Sequence, residues 1–284
     1  MIRMLLLAAA LLGSPAAAET ILFVGNSFTF GATSAVQDYR PGSVADLNGE
    51  GVGGVPALFA RFAEQAGLDY RVSLETAPGR SLAWHLTERR DRIDRAWDHV
   101  VLQEYSTLDP DRPGDPARTI AAAQSLAALL RARNPGVDLR LTATWSRPDL
   151  VYRPGSRWSG TPIDRMARDL RVGADRAAEA ARARVMPVGE AFTCAIRGGV
   201  ADPNPYDGIA AGQVDLWGGD HYHGSTAGYY LEALVVFGAV TGRDPTALGR
   251  DEKAAADLGL SPDRAAALQR VAKEALASDG GCGR

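Results

Sequence analysis

The sequence predicts an α/β fold: a single three-layer α/β/α domain around a parallel sheet of about five strands. Three observations predict it. Short apolar segments rich in β-branched residues or leucine recur along the chain, helical patterns separate them, and loops rich in Gly, Pro, Asp and Asn punctuate the series. Strands that alternate with helices pack as parallel strands covered on both faces. With no internal repeat and no compositional break, one body over residues 19–284 is the simplest organisation.

The elements follow in order. Residues 21–24 read as the first buried strand. A helix over 55–66 stops at Gly67, and a second strand spans 70–74. The third strand, 100–103, leads to an Ala/Leu-rich helix over 116–133, which opens at Asp115-Pro116 and stops at Asn134-Pro135-Gly136. The fourth strand is 139–144, followed by an Ala/Arg-rich helix over 164–184 and a fifth strand at 185–188. Ser225 is a good cap for a helix over 226–240, and Ser261 for the last helix, 262–277. Segments 31–54, 107–115, 148–162 and 197–219 read as loops. Three of them follow a predicted strand, which places them at the carboxyl edge of the sheet, where open α/β folds bind ligands.

The N-terminus reads as a targeting segment. Arg3 precedes an apolar run, 4–12, that is too short to span a bilayer; Gly13 and Pro15 break it, and Ala16-Ala17-Ala18 offers a cleavage site. A signal peptide over 1–18 and an exported, periplasmic or secreted product are expected. The later apolar stretch 231–240 is also too short for a span and begins beside Glu232. Hydrophobic residues at 46% and charged residues at 23% fit a soluble globular protein. A net charge of -3 supplies no basic field for nucleic acid or an anionic membrane. Of the two cysteines, Cys194 is expected in an accessible segment after the fifth strand and Cys282 in the C-terminal tail. Export permits a disulfide between them; two free thiols fit the sequence equally.

The chemistry concentrates at the two ends. The first strand ends in Gly25-Asn26-Ser27-Phe28-Thr29, which sets a serine hydroxyl on the binding edge and aims turn N–H groups at one point, as an oxyanion requires. Far along the chain, Asp220-His221-Tyr222-His223-Gly224-Ser225 precedes the helix at 226–240 and holds two of the four histidines. A serine nucleophile needs a base, and the base needs an acceptor to fix its tautomer. Asp220 and His223, three residues apart, can be presented by one loop. Plainer readings are a polar turn capping a helix, or a zinc site, although no further His or Cys stands at ligand spacing.

Together these blocks resemble the SGNH (GDSL-like) hydrolases. Gly25-Asn26-Ser27 matches the family's Gly-Asp-Ser with Asn for Asp, a variant written G-N-S-[FY]-[ST]. Gly79, in Ala77-Pro78-Gly79-Arg80-Ser81, fits the family's glycine after the second strand. Asp220 to His223 matches its final Asp-x-x-His, and Gly224-Ser225-Thr226-Ala227-Gly228-Tyr229 continues it. The resemblance spans the mature chain and implies a flavodoxin-like sheet, a Ser27–His223–Asp220 triad, and acyl transfer without a cofactor or metal. It implies an oxyanion hole of the Ser27 and Gly79 N–H groups. The third block departs: where the family has Gly-x-Asn-Asp, this chain reads Gln103-Glu104-Tyr105-Ser106. Gln103 offers the same carboxamide on a longer arm and is assigned to the oxyanion hole; structural hydrogen bonding at the strand end is its alternative.

Trp84, Trp145, Trp158 and Trp217 fall near strand ends or in the edge loops, where rings can stack on sugar faces; simple packing of the loops is the plainer reading. Asn26 is a further candidate to line the site; His221 either lines it or bonds locally, and His85 either lines it or caps polar groups, whereas His99, opening a strand, reads as structural. With no long apolar lid, the reading favours a small-molecule or carbohydrate ester, with a small acyl group such as acetyl. A carbohydrate-binding protein with weak catalysis and a sugar O-acyltransferase are the alternatives.

Overall fold

The computed structural model describes residues 18–282, so the expected signal peptide lies outside the described residues except for Ala18. Six parallel strands form one sheet: β1 (Glu19–Gly25), β2 (Ala45–Asp46), β3 (Tyr70–Thr76), β4 (His99–Leu102), β5 (Asp138–Thr142) and β6 (Arg184–Met186). Their order is β2-β3-β1-β4-β5-β6. Without β2, this is the flavodoxin-like order expected. The strand beyond the five expected is β2, a two-residue edge pairing inside the segment read as loop 31–54.

Alternation along the strands explains the layers. Ile21 and Phe23 of β1, Val72 and Leu74 of β3, and Val101 of β4 enter one core. That core is closed by α1 (Gly54–Gln65), α7 (Val188–Arg197), α8 (Thr226–Thr241) and α10 (Pro262–Ala277). Leu22, Val24, Val100, Leu102, Leu139 and Leu141 face the opposite way. They pack under α2 (Leu82–Glu88), α4 (Ala117–Arg133) and α6 (Asp164–Ala181). Short helices α3 (Arg90–Ile93), α5 (Pro148–Val151) and α9 (Lys253–Asp257) complete the set. Ser225 and Ser261 cap α8 and α10 by accepting from Gly228 N–H and Arg264 N–H.

Helix α7 had no counterpart in the sequence reading. β6 enters it through the single residue Pro187, without the loop signal that marks the other junctions. This also corrects the expected surroundings of Cys194. It lies on the buried face of α7 and is bonded to Cys282, tying the C-terminal tail to the body across 88 residues of sequence. His99 is structural, as read: it joins Glu19 and Asp138 at the amino edge of the sheet. No helix among the described residues is long and apolar enough to cross a membrane.

Candidate active site

β1 lies between β3 and β4, so the crevice at their carboxyl ends is the topological switch point of the sheet. The segment Gly25-Asn26-Ser27-Phe28-Thr29 turns sharply there: Thr29 and Phe30 N–H both donate to Asn26 O, at 2.9 and 3.1 Å. Each residue of the motif has a physical reason. A Cβ on Gly25 would stand 2.1 Å from Thr29 Oγ1 and 2.7 Å from Gln103 Oε1. Asn26 is buried, and its Nδ2 donates to Arg80 O at 3.0 Å and Glu104 O at 3.4 Å. It therefore ties the turn to two neighbouring strand ends and is a structural clamp, not the substrate contact expected. Phe28 stacks on Trp145 at 4.2 Å.

The loop before α8 supplies the second half. Asp220 Oδ2 accepts from His223 Nδ1 at 2.6 Å, and Asp220 Oδ1 accepts the N–H of His223 and Tyr222 at 2.9 and 3.0 Å. Burial alone would raise the Asp220 carboxyl, but these bonds outweigh it and hold the group below its ordinary range. The imidazole lies 5.7 Å from the ring of Phe28, the residue after Ser27. His223 Nε2 is buried and has no hydrogen-bond partner among the described residues, so no bond joins it to Ser27 Oγ here. Such bonds often close only when substrate arrives.

His221 is held differently. Its backbone is left-handed at φ 55, and its ring packs 4.2 Å from Tyr206 in the loop at 197–219. Among the described residues, no three His, Cys, Asp or Glu side chains group as a metal site needs.

Gly79 occupies the left-handed position of a tight turn, φ 66, with Pro78 before it and Arg80 N–H closing on Ala77 O at 3.2 Å. Its N–H and that of Ser27 take part in none of the hydrogen bonds among the described residues, which leaves both available to an oxyanion.

Gln103 is bound more tightly than the sequence reading foresaw. Oε1 accepts from Asn26 N–H at 2.9 Å and Thr29 Oγ1 at 3.0 Å, while Nε2 donates to Glu104 O. The carboxamide brackets the Ser27 turn from beneath, and only its second Nε2–H remains for an oxyanion. Gln103→Ala is expected to lower kcat more than it raises KM, and to cost about 1–3 kcal/mol of stability by stranding Asn26 N–H. Gln103→Glu keeps the acceptor and removes the donor. Retained kcat in that variant, measured beside its melting temperature, would assign Gln103 to bracketing alone.

Three of the four candidate tryptophans pack inside the protein rather than offering faces to a sugar. Trp145 is fully buried between Phe28 and Phe192 and donates from Nε1 to Tyr222 O at 3.2 Å. Trp217 and Trp158 are buried too, their Nε1 groups spent on Ser146 O and Asp169. All three are large apolar rings turned into the interior, so none presents a face to solvent. Only Trp84 is partly exposed, and its ring carries Arg80 at 5.2 Å and Arg89 at 4.7 Å. His85 does not line the site; it is buried against Glu75.

Three contributors went unread. Tyr229 on α8 donates its hydroxyl to Ser27 O at 3.2 Å and to Ala32 O at 3.3 Å, fixing the turn. Tyr222 packs 4.1 Å from the His223 ring, and Arg147 sits 3.6 Å over Tyr222. Arg147 also donates to Asp149 and Ser106, joining three edge loops. Tyr222 and Tyr229 belong to the motif block itself. Arg147 gave no sequence signal, because an arginine after a strand is common.

The sheet order, with a crevice at its switch point, is that of the SGNH hydrolase fold. Among solved structures, the chain is similar to a DUF4886-family protein from Bacteroides uniformis, with a TM-score of 0.67 and 19% identity over 93% of this chain and 97% of that one. It is similar to a proposed SGNH hydrolase from Slackia heliotrinireducens, with a TM-score of 0.51 and 23% identity over 78% and 99%. It also resembles an acetyl xylan esterase, with a TM-score of 0.53 and 14% identity over 78% and 99%. No protein-family model and no curated protein sequence matches the chain.

Proposed function

We propose that this protein is an exported serine esterase that hydrolyses a small acyl ester, such as an O-acetyl group on a carbohydrate. The observation that carries the reading is the Asp220–His223 pair, bonded at 2.6 Å beside the turn that holds Ser27 at the switch point. In this reading, Ser27 Oγ attacks the ester carbonyl and His223 Nε2 takes its proton. The Asp220 carboxylate keeps the proton of the neutral imidazole on Nδ1 and stabilises the cation that forms. The N–H groups of Ser27 and Gly79, with the free Nε2–H of Gln103, receive the tetrahedral oxyanion. His223 returns its proton to the departing alkoxide, and water then releases the acyl group by the same steps reversed. No cofactor enters this scheme.

Export is supported by the pattern of residues 1–18 and by the disulfide, a bond that persists in oxidising compartments. The acetyl preference is in keeping with the acetyl xylan esterase among the structural neighbours. It is tested by releasing p-nitrophenol from acetyl, butyryl and octanoyl esters. The expected result is a kcat/KM that falls with chain length by about 10-fold or more from acetyl to octanoyl, since displaced methylenes forfeit ~1–3 kcal/mol each at most. A rise with chain length would replace this reading with a long-chain acyl hydrolase.

A further inference from the structure

We propose that the cavity beside Gly79 receives a carboxylate carried by the alcohol part of the ester, and that Arg80 recognises it. The inference rests on the esterase reading above. The cavity holds about 230 Å³, room for one small group, and is lined by residues that include Gly79, Arg80, Trp84, Glu104, Tyr105 and Arg118. It adjoins the nucleophile turn, because Asn26, next to Ser27, is hydrogen-bonded to the carbonyls of two lining residues, Arg80 and Glu104.

The charges of the lining are unevenly spent. Arg118 is paired with Asp109 and Asp111 at 3.3 and 2.7 Å. Glu104 is buried, with both carboxyl oxygens turned to the N–H groups of Leu82 and Tyr105. Burial pushes that carboxyl up to about 7, against those bonds. Arg80 has no carboxylate partner among the described residues. Its guanidinium lies 5.2 Å over the Trp84 ring, and Arg89 lies over the same ring. The aromatic surface that was expected to stack on a sugar thus carries cations instead, and the cleft offers charge where stacking was anticipated. A guanidinium presents paired donors that match a carboxylate. Because the acyl group is small in the esterase reading, the charge belongs to the alcohol part, as in an acetylated acidic sugar.

The test compares two acetyl esters, 3-acetoxybenzoate and its neutral methyl ester, on the full-length mature protein. The wild type is expected to favour the acid in kcat/KM by about two- to fivefold, the scale of one solvent-facing ion pair. Raising sodium chloride from about 0.05 M to about 0.5 M should erode that preference, because screening acts on the charged ester alone; this readout needs no variant. Arg80→Gln should bring the ratio near one, and Arg80→Lys should keep much of it. Equal hydrolysis of both esters by the wild type overturns the inference and leaves the esterase reading standing. A preference that survives Arg80→Gln or high salt overturns it as well. Failure to hydrolyse either ester overturns the esterase reading and the inference together.

Discussion

Ser27→Ala is expected to lower ester hydrolysis by about 10,000-fold or more while the protein stays folded. The size follows from the role. Without Oγ there is no acyl-enzyme, and only the oxyanion donors and substrate binding remain to assist water. The fold survives because the turn is anchored by the Ser27 carbonyl, not by its hydroxyl. Ala32 N–H and the Tyr229 hydroxyl both donate to that carbonyl, and alanine keeps both bonds. A fluorophosphonate probe should label the wild type and fail to label the variant, with unchanged melting temperatures. Labelling that persists in Ser27→Ala would put the nucleophile elsewhere.

The second large effect separates two neighbouring histidines. His223→Ala should remove nearly all activity, by about 1000-fold or more, as expected for a lost base. Its imidazole is bonded to Asp220 through Nδ1 and stands beside Phe28, with Nε2 buried and unpaired among the described residues. His221→Ala should retain a substantial fraction, because that ring packs on Tyr206 instead. Asp220→Asn should fall between the two: the base remains, but the amide cannot hold the tautomer or stabilise the cation. Measured kcat/KM values for the three variants decide the matter. A dead His221→Ala beside an active His223→Ala would shift the base by two residues and strip Asp220 of its role.

The alternation of short apolar runs with helical patterns was legible because period-2 and period-3.6 signals are local. Five strands and the five longest helices outside α7 were therefore readable, as were the capping serines of α8 and α10. The motif blocks were legible for a related reason. Gly25, Asn26 and Thr29 are demanded by a turn a few residues long, and Asp220 and His223 by one loop. What escaped were features without a local signature: β2, whose two residues exist only as an edge pairing, and α7, which follows β6 across a single proline.

The tryptophans mark the boundary most clearly. Sequence position put Trp145 just after a strand and Trp217 in the loop at 197–219, but it could not say which way either ring faces. That is set by Phe28, Phe192 and Ser146, which arrive from distant parts of the chain. Gln103 teaches the same lesson for a polar group. Its type permits oxyanion donation, yet its acceptor oxygen is claimed by Asn26 and Thr29, more than seventy residues away in sequence. The parallel α/β architecture and the residue types that can carry acyl transfer were readable from the chain alone, since both follow from short-range periodicity and spacing. Which polar atoms stay free for chemistry depends on long-range packing. Burial and hydrogen bonding between segments remote in sequence consume many of them, while His223 Nε2, His221 Nδ1, the Ser27 and Gly79 N–H groups and the second Nε2–H of Gln103 keep no partner among the described residues.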